Sequence, residues 1–394
     1  MGRNPVIDAL GRPLRLAVIG GGPGSFIGET HRVAARMDGR YSLVAGAVSS
    51  DPVHSAEAGR QLGLHRDRSY GDGLELIESE SKRDDGAEVV AIMTPNDTHH
   101  LFSMAALDNG LDVICDKPVT NTLAEAREVV ARVDATGLVF CLTHNYTGYP
   151  MVRQARAMVE GAELGEIRLV QVEYVQGGKA SENDPDPSDG LPWRYDPVKG
   201  GPSLVMGDIG SHAHNLTRFI TGLEVDQVAA EVGTIVPNRL VHDFAAAMLR
   251  FDNGARGSFW VTQAAAGMEN CLRIRVSGTK GSLEWEQERP TALVFKPLRG
   301  PAEVRTPNGP GTYPWATRAT RLVAGHPEGF IGAFANIYSD AAEAIAARRT
   351  GTAADPSALH FPNAVDGAWG VRFVEASIES SSSGGAWIDA RLGL

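Results

Sequence analysis

The feature that most constrains this chain is a short apolar run that ends in a cluster of glycines. Leu14 to Ile19 reads Leu-Arg-Leu-Ala-Val-Ile and passes straight into Gly20-Gly21-Gly22-Pro23-Gly24. An amphipathic segment comes next, with Ile27, Ala34 and Met37 on one side. Strand, glycine turn and helix in that order predict the opening unit of a parallel sheet. Glycine at Gly20, Gly22 and Gly24 lets backbone approach a ligand closely. The helix that opens near Ile27 supplies amide donors and the positive end of a dipole. That combination suits the pyrophosphate of a dinucleotide. The spacing departs from G-x-G-x-x-G, because five residues rather than two separate Gly22 from Gly28. For the turn taken alone, a glycine-rich loop without a ligand is the plainer reading.

The alternation of elements after the turn gives it weight. Apolar runs recur at Leu43 to Val48, Val89 to Met93, Leu111 to Cys115 and Leu138 to Leu142. Helical patterns lie between them, at Val53 to Leu62, around Leu101 to Leu107 and at Leu123 to Val133. Short strands apolar on both faces, alternating with helices, predict a parallel sheet covered on both sides. Beyond about residue 150 the pattern changes. Val170, Val172 and Tyr174 alternate with Gln171 and Glu173, as in a strand with one wet face. Asp252-Asn253-Gly254 separates two apolar runs and predicts a hairpin, and Gly278 to Gly281 predicts a second. The chain of 394 residues exceeds one ordinary core. The expected division is an α/β Rossmann domain over 1–146 and an α+β domain over 147–394. The second domain should carry a large, open, mostly antiparallel sheet. Such a sheet, with one face left uncovered by its own helices, suggests a homo-oligomer, dimer or tetramer. Two long stretches, Gly177 to Pro202 and Leu298 to Gly329, read as structureless and are expected to wall a substrate cleft.

Charge and composition narrow the partners. The net charge is −11 with no Lys/Arg cluster, which argues against a nucleic-acid surface. No run of about 18 apolar residues is present, so no membrane span is expected. Met1 to Pro13 is polar and does not read as a secretory signal. The three cysteines have neither zinc-ligand nor redox spacing, and reduced thiols are expected. The expected location is the cytoplasm, and the expected partner a small molecule.

Four groups of residues carry the chemistry. Ser49 stands where an NAD-binding sheet often places a carboxylate for the ribose hydroxyls, and no neighbouring arginine offers a clamp for a 2′-phosphate. NAD is the expected coenzyme and NADP the alternative. Asp116-Lys117-Pro118 directly follows a strand, so Lys117 sits at the carboxyl edge where these sheets bind ligands. A solvated turn is the plainer alternative. Asp208 and His212 are four apart on a helical stripe, and a carboxylate beside an imidazole suits a general base. The alternative is an N-cap and a structural histidine. Thr94-Pro95-Asn96 with His99, and His144-Asn145-Tyr146, also follow strands and either line the nicotinamide pocket or form ordinary turns.

Taken together these residues resemble the Gfo/Idh/MocA family of sugar and cyclitol oxidoreductases, over nearly the whole chain. The marks are the turn ending in Ile27-Gly28 with His31, Thr94-Pro95-Asn96 with His99, Asp116-Lys117-Pro118, and the D-x-x-x-H of Asp208 and His212. The family's usual Glu-Lys-Pro carries Asp116 here. Trp193 and Arg194, before Gly200-Gly201, look like its substrate loop, and the segment around His326 looks like a subgroup feature. The resemblance implies that Gly20, Gly22, Gly24, Ile27, Ser49, Thr94, Pro95, Asn96, His99, Asp116, Lys117 and Asn145 serve the cofactor. Lys117, Tyr146, Trp193, Arg194, Asp208, His212 and His326 would serve the substrate. It further implies oxidation of a ring secondary alcohol, His212 taking the hydroxyl proton and Lys117 steadying the alkoxide. Two alternatives share the fold: a glycoside-cleaving enzyme that oxidises transiently on bound NAD, and a non-catalytic dinucleotide sensor.

Overall fold

The computed structural model describes residues 4–181 and 184–393. Met1 to Arg3, in the polar start, and Glu182 and Asn183, in the first long loop, lie outside the described residues. The chain forms two compact units. The first comprises Met1–Thr120, Ala124–Asn145 and Ile331–Gly367; the second comprises Asn121–Leu123, Tyr146–Phe330 and Ala368–Leu394. A single boundary after residue 146 therefore omits the return of Ile331–Gly367 to the first unit.

In the first unit a short helix α1 (Pro5–Leu10) precedes β1 (Leu14–Gly20), α2 (Phe26–Met37), β2 (Tyr41–Ala47), α3 (Pro52–Gln61) and α4 (Gly73–Ser81). Then come β3 (Val89–Met93), α5 (His99–Asp108), β4 (Asp112–Cys115), α6 (Leu123–Thr136) and β5 (Phe140–Leu142). The strands form one parallel sheet in the order β2-β1-β3-β4-β5. Strands β3 and β4 are buried along their full length, as their unbroken apolar runs require. The order reverses between β1 and β3, where ligands of such sheets sit.

The glycine turn stands at that reversal. Gly20 pairs with Met93 and has φ +79°; a Cβ there would lie 2.7 Å from the Met93 carbonyl oxygen. A Cβ on Gly28 would lie 2.0 Å from the Gly21 carbonyl oxygen, so α2 rests on the turn with no side chain between. The extra residues form the bend at Pro23-Gly24 and the cap, Ser25, whose Oγ accepts the Gly28 N–H at 3.2 Å. The longer loop thus leaves Gly28 in the role of the motif's third glycine, close helix–strand packing. From the next turn of α2 the Arg32 guanidinium donates to the Gly21 carbonyl.

The second unit contains α7 (Pro150–Glu160), β6 (Ile167–Val175), α8 (Pro197–Gly200), α9 (Ser211–Thr221), β7 (Val225–Gly233), β8 (Phe244–Phe251) and β9 (Arg256–Thr262). It continues with β10 (Cys271–Gly278), β11 (Gly281–Glu286), β12 (Leu293–Pro297), β13 (Glu303–Arg305) and α10 (Pro314–Arg318). The last elements of the chain are α11 (Phe330–Thr350), α12 (Ala364–Ser382) and β14 (Ile388–Asp389). The nine strands run β13-β12-β11-β10-β6-β9-β8-β7-β14, antiparallel except where β6 meets β9. Both expected hairpins form, β8–β9 and β10–β11. Val170, Val172 and Tyr174 face the core, where Phe373 of α12 meets Phe259 at 5.1 Å. The two stretches expected to be structureless are not. The first carries short helical turns and α8; the second carries β13 and α10, tied down by Arg305–Glu163 at 2.6 Å and by Gln154, which accepts the Tyr313 N–H at 2.7 Å. No described helix is long and apolar enough to cross a membrane.

Helix α11 belongs to the first unit, and its residues 331–350 pack on the parallel sheet. The Tyr338 hydroxyl is 2.7 Å from His31 Nδ1, and the Tyr338 carbonyl accepts the Tyr41 hydroxyl at 2.9 Å. Phe334 meets the His31 ring edge-on at 4.8 Å. Arg348 pairs with Asp112 at 2.8 Å and Arg349 with Glu88 at 2.9 Å. His31 is fully enclosed. Burial pulls its pKa down from 6.5 to about 4, the charge of Asp116 opposing.

Two outcomes are expected from this packing. Gly28→Ala forces α2 off the turn and should cost about 1–3 kcal/mol in denaturant unfolding; wild-type stability would show that the helix shifts freely. The neutral, buried His31 binds its proton later than the unfolded chain does. It therefore leaves stability intact above about pH 6.5 and lowers it as pH falls toward 4. Unfolding free energy against pH should be shallower over that window in His31→Gln than in wild type, by up to about 1.4 kcal/mol per pH unit. Parallel curves would contradict the assignment.

Candidate active site

The carboxyl ends of the parallel strands gather the first set of expected residues. Ser49 lies two residues past β2; its Oγ accepts the Asp51 N–H at 3.1 Å, while Asp51 caps α3 through the His54 N–H at 2.8 Å. The nearby carboxylate is thus engaged in a helix cap, and the strand tip presents a hydroxyl. After β3, the Thr98 hydroxyl meets Thr94 Oγ1 at 2.6 Å and the Pro95 carbonyl at 2.7 Å, closing the turn that holds Asn96. His99 is a brace. Its Nδ1 lies 2.7 Å from the Pro118 carbonyl and its Nε2 3.0 Å from the Thr94 carbonyl, so it ties the end of β3 to the segment after β4. Asp116 Oδ1 accepts the Thr143 hydroxyl at 2.7 Å and the Lys117 N–H at 3.0 Å. The half-buried Lys117 is therefore pinned on both sides, by Asp116 before it and by the His99–Pro118 contact after it.

These residues fit a dinucleotide. Gly20, Gly21 and Gly24 all have positive φ, and a Cβ on Gly24 would meet nothing, so this rim of the turn is open. The first turn of α2 points its amides and its dipole to the same edge. Asn145, beyond β5, is 3% exposed, and its Nδ2 has no hydrogen-bond partner. An orphaned buried donor there is matched by the amide oxygen of a nicotinamide.

The second unit gathers a different set. The helix that presents Asp208 and His212 starts at Leu204 and opens into a wide turn over Met206–Gly210, where the Ser211 N–H bonds back to Met206. Asp208 lies within this turn and is not an N-cap. One-turn bulges of this kind re-aim side chains and recur at functional sites. Asp208 Oδ2 accepts from Gln263 Nε2 at 2.9 Å. The same nitrogen meets Gln176 Oε1 at 3.2 Å, and Gln176 Nε2 donates to Asn270 Oδ1 at 2.6 Å. Asn270 Oδ1 also accepts the Tyr174 hydroxyl at 2.8 Å, and Tyr174 is hydrogen-bonded to the hydroxyl of Tyr146. The Tyr146 ring stands edge-on to His212, centroids 4.8 Å apart. Asp208 and His212 are thus two ends of one part-buried polar chain. Burial pushes the Tyr146 and Tyr174 phenols up, and the charge of Asp208 acts in the same direction, so both stay protonated.

Four members of this chain, Tyr174, Gln176, Gln263 and Asn270, were not among the expected residues. The signal that could have found them is weak: polar amides at strand ends, Gln176 just past β6 and Gln263 just past β9. Of the remaining expected residues, Trp193 and Arg194 share a helical turn, the guanidinium 4.3 Å over the indole. His326 is exposed before α11, its Nδ1 3.2 Å from the Val323 carbonyl.

Comparison with known proteins agrees with this architecture. Residues 14–146 match the model of the oxidoreductase family with an NAD-binding Rossmann fold, and residues 152–284 match the GFO/IDH/MocA C-terminal domain. An uncharacterized oxidoreductase, YfiI, of Bacillus subtilis is 33% identical over 96% of this chain and 98% of its own. Among solved structures, an oxidoreductase from Sinorhizobium meliloti is 44% identical with TM-score 0.87, covering 96% of this chain and 100% of that one. An inositol dehydrogenase homolog from Azotobacter vinelandii, complexed with NADH and myo-inositol, is 36% identical with TM-score 0.88, covering 97% and 98%. The chain belongs to the Gfo/Idh/MocA oxidoreductases, NAD-dependent enzymes acting on CH–OH groups.

Proposed function

We propose that this protein oxidises a ring secondary alcohol of a cyclitol or sugar. The observation that carries the reading is the make-up of the chain around His212. It consists of phenols and amides with a single carboxylate, Asp208, all hydrogen-bonding groups of the kind that recognise a polyhydroxylated ring. The relative bound to myo-inositol supports the same substrate class.

NAD would be held by the Gly20–Gly28 turn, Ser49, the Thr94–Asn96 turn and Asn145, and when bound supplies the hydride acceptor. His212 takes the hydroxyl proton, and its edge contact with Tyr146 fixes the ring plane. Asp208, held by the Gln263 amide, favours the imidazolium that forms. Lys117 steadies the developing alkoxide, its backbone pinned by Asp116 and His99. Trp193 and Arg194 contribute to the substrate loop, with His326 at its edge. The uncovered face of the large sheet, where Leu169, Met248 and Trp260 are exposed on neighbouring strands, packs on a second copy.

The test is a panel of cyclitols, sugars and glycosides with NAD, following NADH and product together. One or more ring polyols should be oxidised with stoichiometric NADH. Free sugar released without net NADH would instead indicate redox-assisted glycoside cleavage. On the preferred substrate, Lys117→Ala should lower kcat by about 100- to 1,000-fold. His212→Asn should lower it by about 100- to 10,000-fold and flatten the acid limb of the pH–rate profile. Full activity of the lysine variant, or an unchanged acid limb in the histidine variant, would remove that residue from its role.

A further inference from the structure

Gln263 carries more than its bond to Asp208. It is 5% exposed, and both hydrogens of its Nε2 are used, one toward Asp208 Oδ2 at 2.9 Å and one toward Gln176 Oε1 at 3.2 Å. Its Oε1 is buried with no hydrogen-bond partner. The orientation of the amide is not free. Turning it over would place an oxygen against a carboxylate oxygen and a second amide oxygen, three acceptors with no donor among them. The network therefore fixes where the orphaned acceptor stands: on the amide that holds Asp208, four residues before His212. A buried acceptor without a donor costs free energy until something supplies one. The position belongs to the group proposed to recognise the substrate.

We infer that Gln263 is a specificity-determining residue, whose Oε1 accepts a hydrogen bond from a substrate hydroxyl next to the carbon that is oxidised. The inference rests on the polyol-oxidising reading of this site. It deepens that reading by naming a donor the substrate must bring. A ring with a hydroxyl at that position fills the vacant acceptor. A deoxy ring leaves it vacant, and a keto or carboxylate group sets oxygen against oxygen. One side chain thus does two things: its nitrogen positions Asp208, and its oxygen reads the neighbouring hydroxyl.

The experiment compares myo-inositol, or whichever ring polyol the panel shows to be oxidised, with its monodeoxy analogues, in wild type and in Gln263→Leu and Gln263→Glu. In wild type a single deoxy position adjacent to the oxidised carbon should lower kcat/KM by roughly 10- to 100-fold. In Gln263→Leu both compounds lose the hold on Asp208 and only the full polyol loses the Oε1 contact, so the roughly 10- to 100-fold preference for the full polyol should collapse toward one. The glutamate variant keeps an acceptor but sets it against Asp208. It should lose activity on the full polyol and still distinguish the deoxy analogue. NADH binding and far-UV circular dichroism, unchanged in both variants, check that they are folded. A wild type that treats every deoxy analogue alike would overturn the inference. So would a leucine variant that loses the same factor on every analogue as on the parent, since that shows a role through Asp208 only. A wild type that binds NADH yet oxidises no ring polyol overturns the functional reading, and this inference with it; the outcomes on the deoxy series overturn the inference alone.

Discussion

The contact between two backbones, Gly28 on Gly21, sets the geometry of the first unit. With 2.0 Å between a hypothetical Cβ and the carbonyl oxygen, no other residue fits without moving the helix. That contact sets the angle at which α2 leaves the turn and brings its amide end to the reversal between β1 and β3. It also decides where the inner face of α2 points. His31 lies one turn further on, and Tyr338 and Phe334 of α11 close over it. The late segment Ile331–Gly367 is thus recruited to a sheet completed nearly two hundred residues earlier. Its anchors are specific: a phenol on an imidazole, and arginines on Asp112 and Glu88.

Much of this was legible in the chain, for a physical reason. Buried parallel strands are continuous apolar runs, and hairpins announce themselves through Asp-Asn-Gly or paired glycines. The five parallel strands and the two hairpins therefore read out correctly, while α4 was not picked out. Helix α11 did not. It is buried from Ala333 to Ala347, so it has no wet face and no stripe of apolar residues to betray its period. Its return to the first unit is a long-range event that no local pattern encodes. The wide turn at Met206–Gly210 was equally hidden, because one inserted residue in a helix leaves no periodic trace. Asp208 read as a helix cap or as the partner of His212. It is no cap, and among its contacts is one no local pattern announces, with Gln263, fifty-five positions on.

The candidate site divides along the same line. Lys117, Asp208 and His212 stand out because charged and titratable residues are conspicuous next to glycines and strand ends. The groups that orient them do not. Tyr174 and Gln176 at the end of β6, Gln263 past β9 and Asn270 before β10 are assembled by the order β10-β6-β9. Their chemistry is quiet in sequence and strong in place. A part-buried chain of amides and phenols surrounds one carboxylate, Asp208. It keeps the phenols protonated and leaves an amide oxygen waiting for a donor.

The most direct test of the account follows the transferred hydrogen. A ring polyol deuterated at each carbinol carbon is incubated with the protein and NAD, and the nicotinamide and the product are analysed by mass spectrometry and NMR. The account predicts one deuterium moved from a ring carbon to the nicotinamide, with a ketone formed at that carbon and one NADH per product. Ketone formed without deuterium in NADH, or polyol recovered with every deuterium in place and no NADH formed, would contradict it.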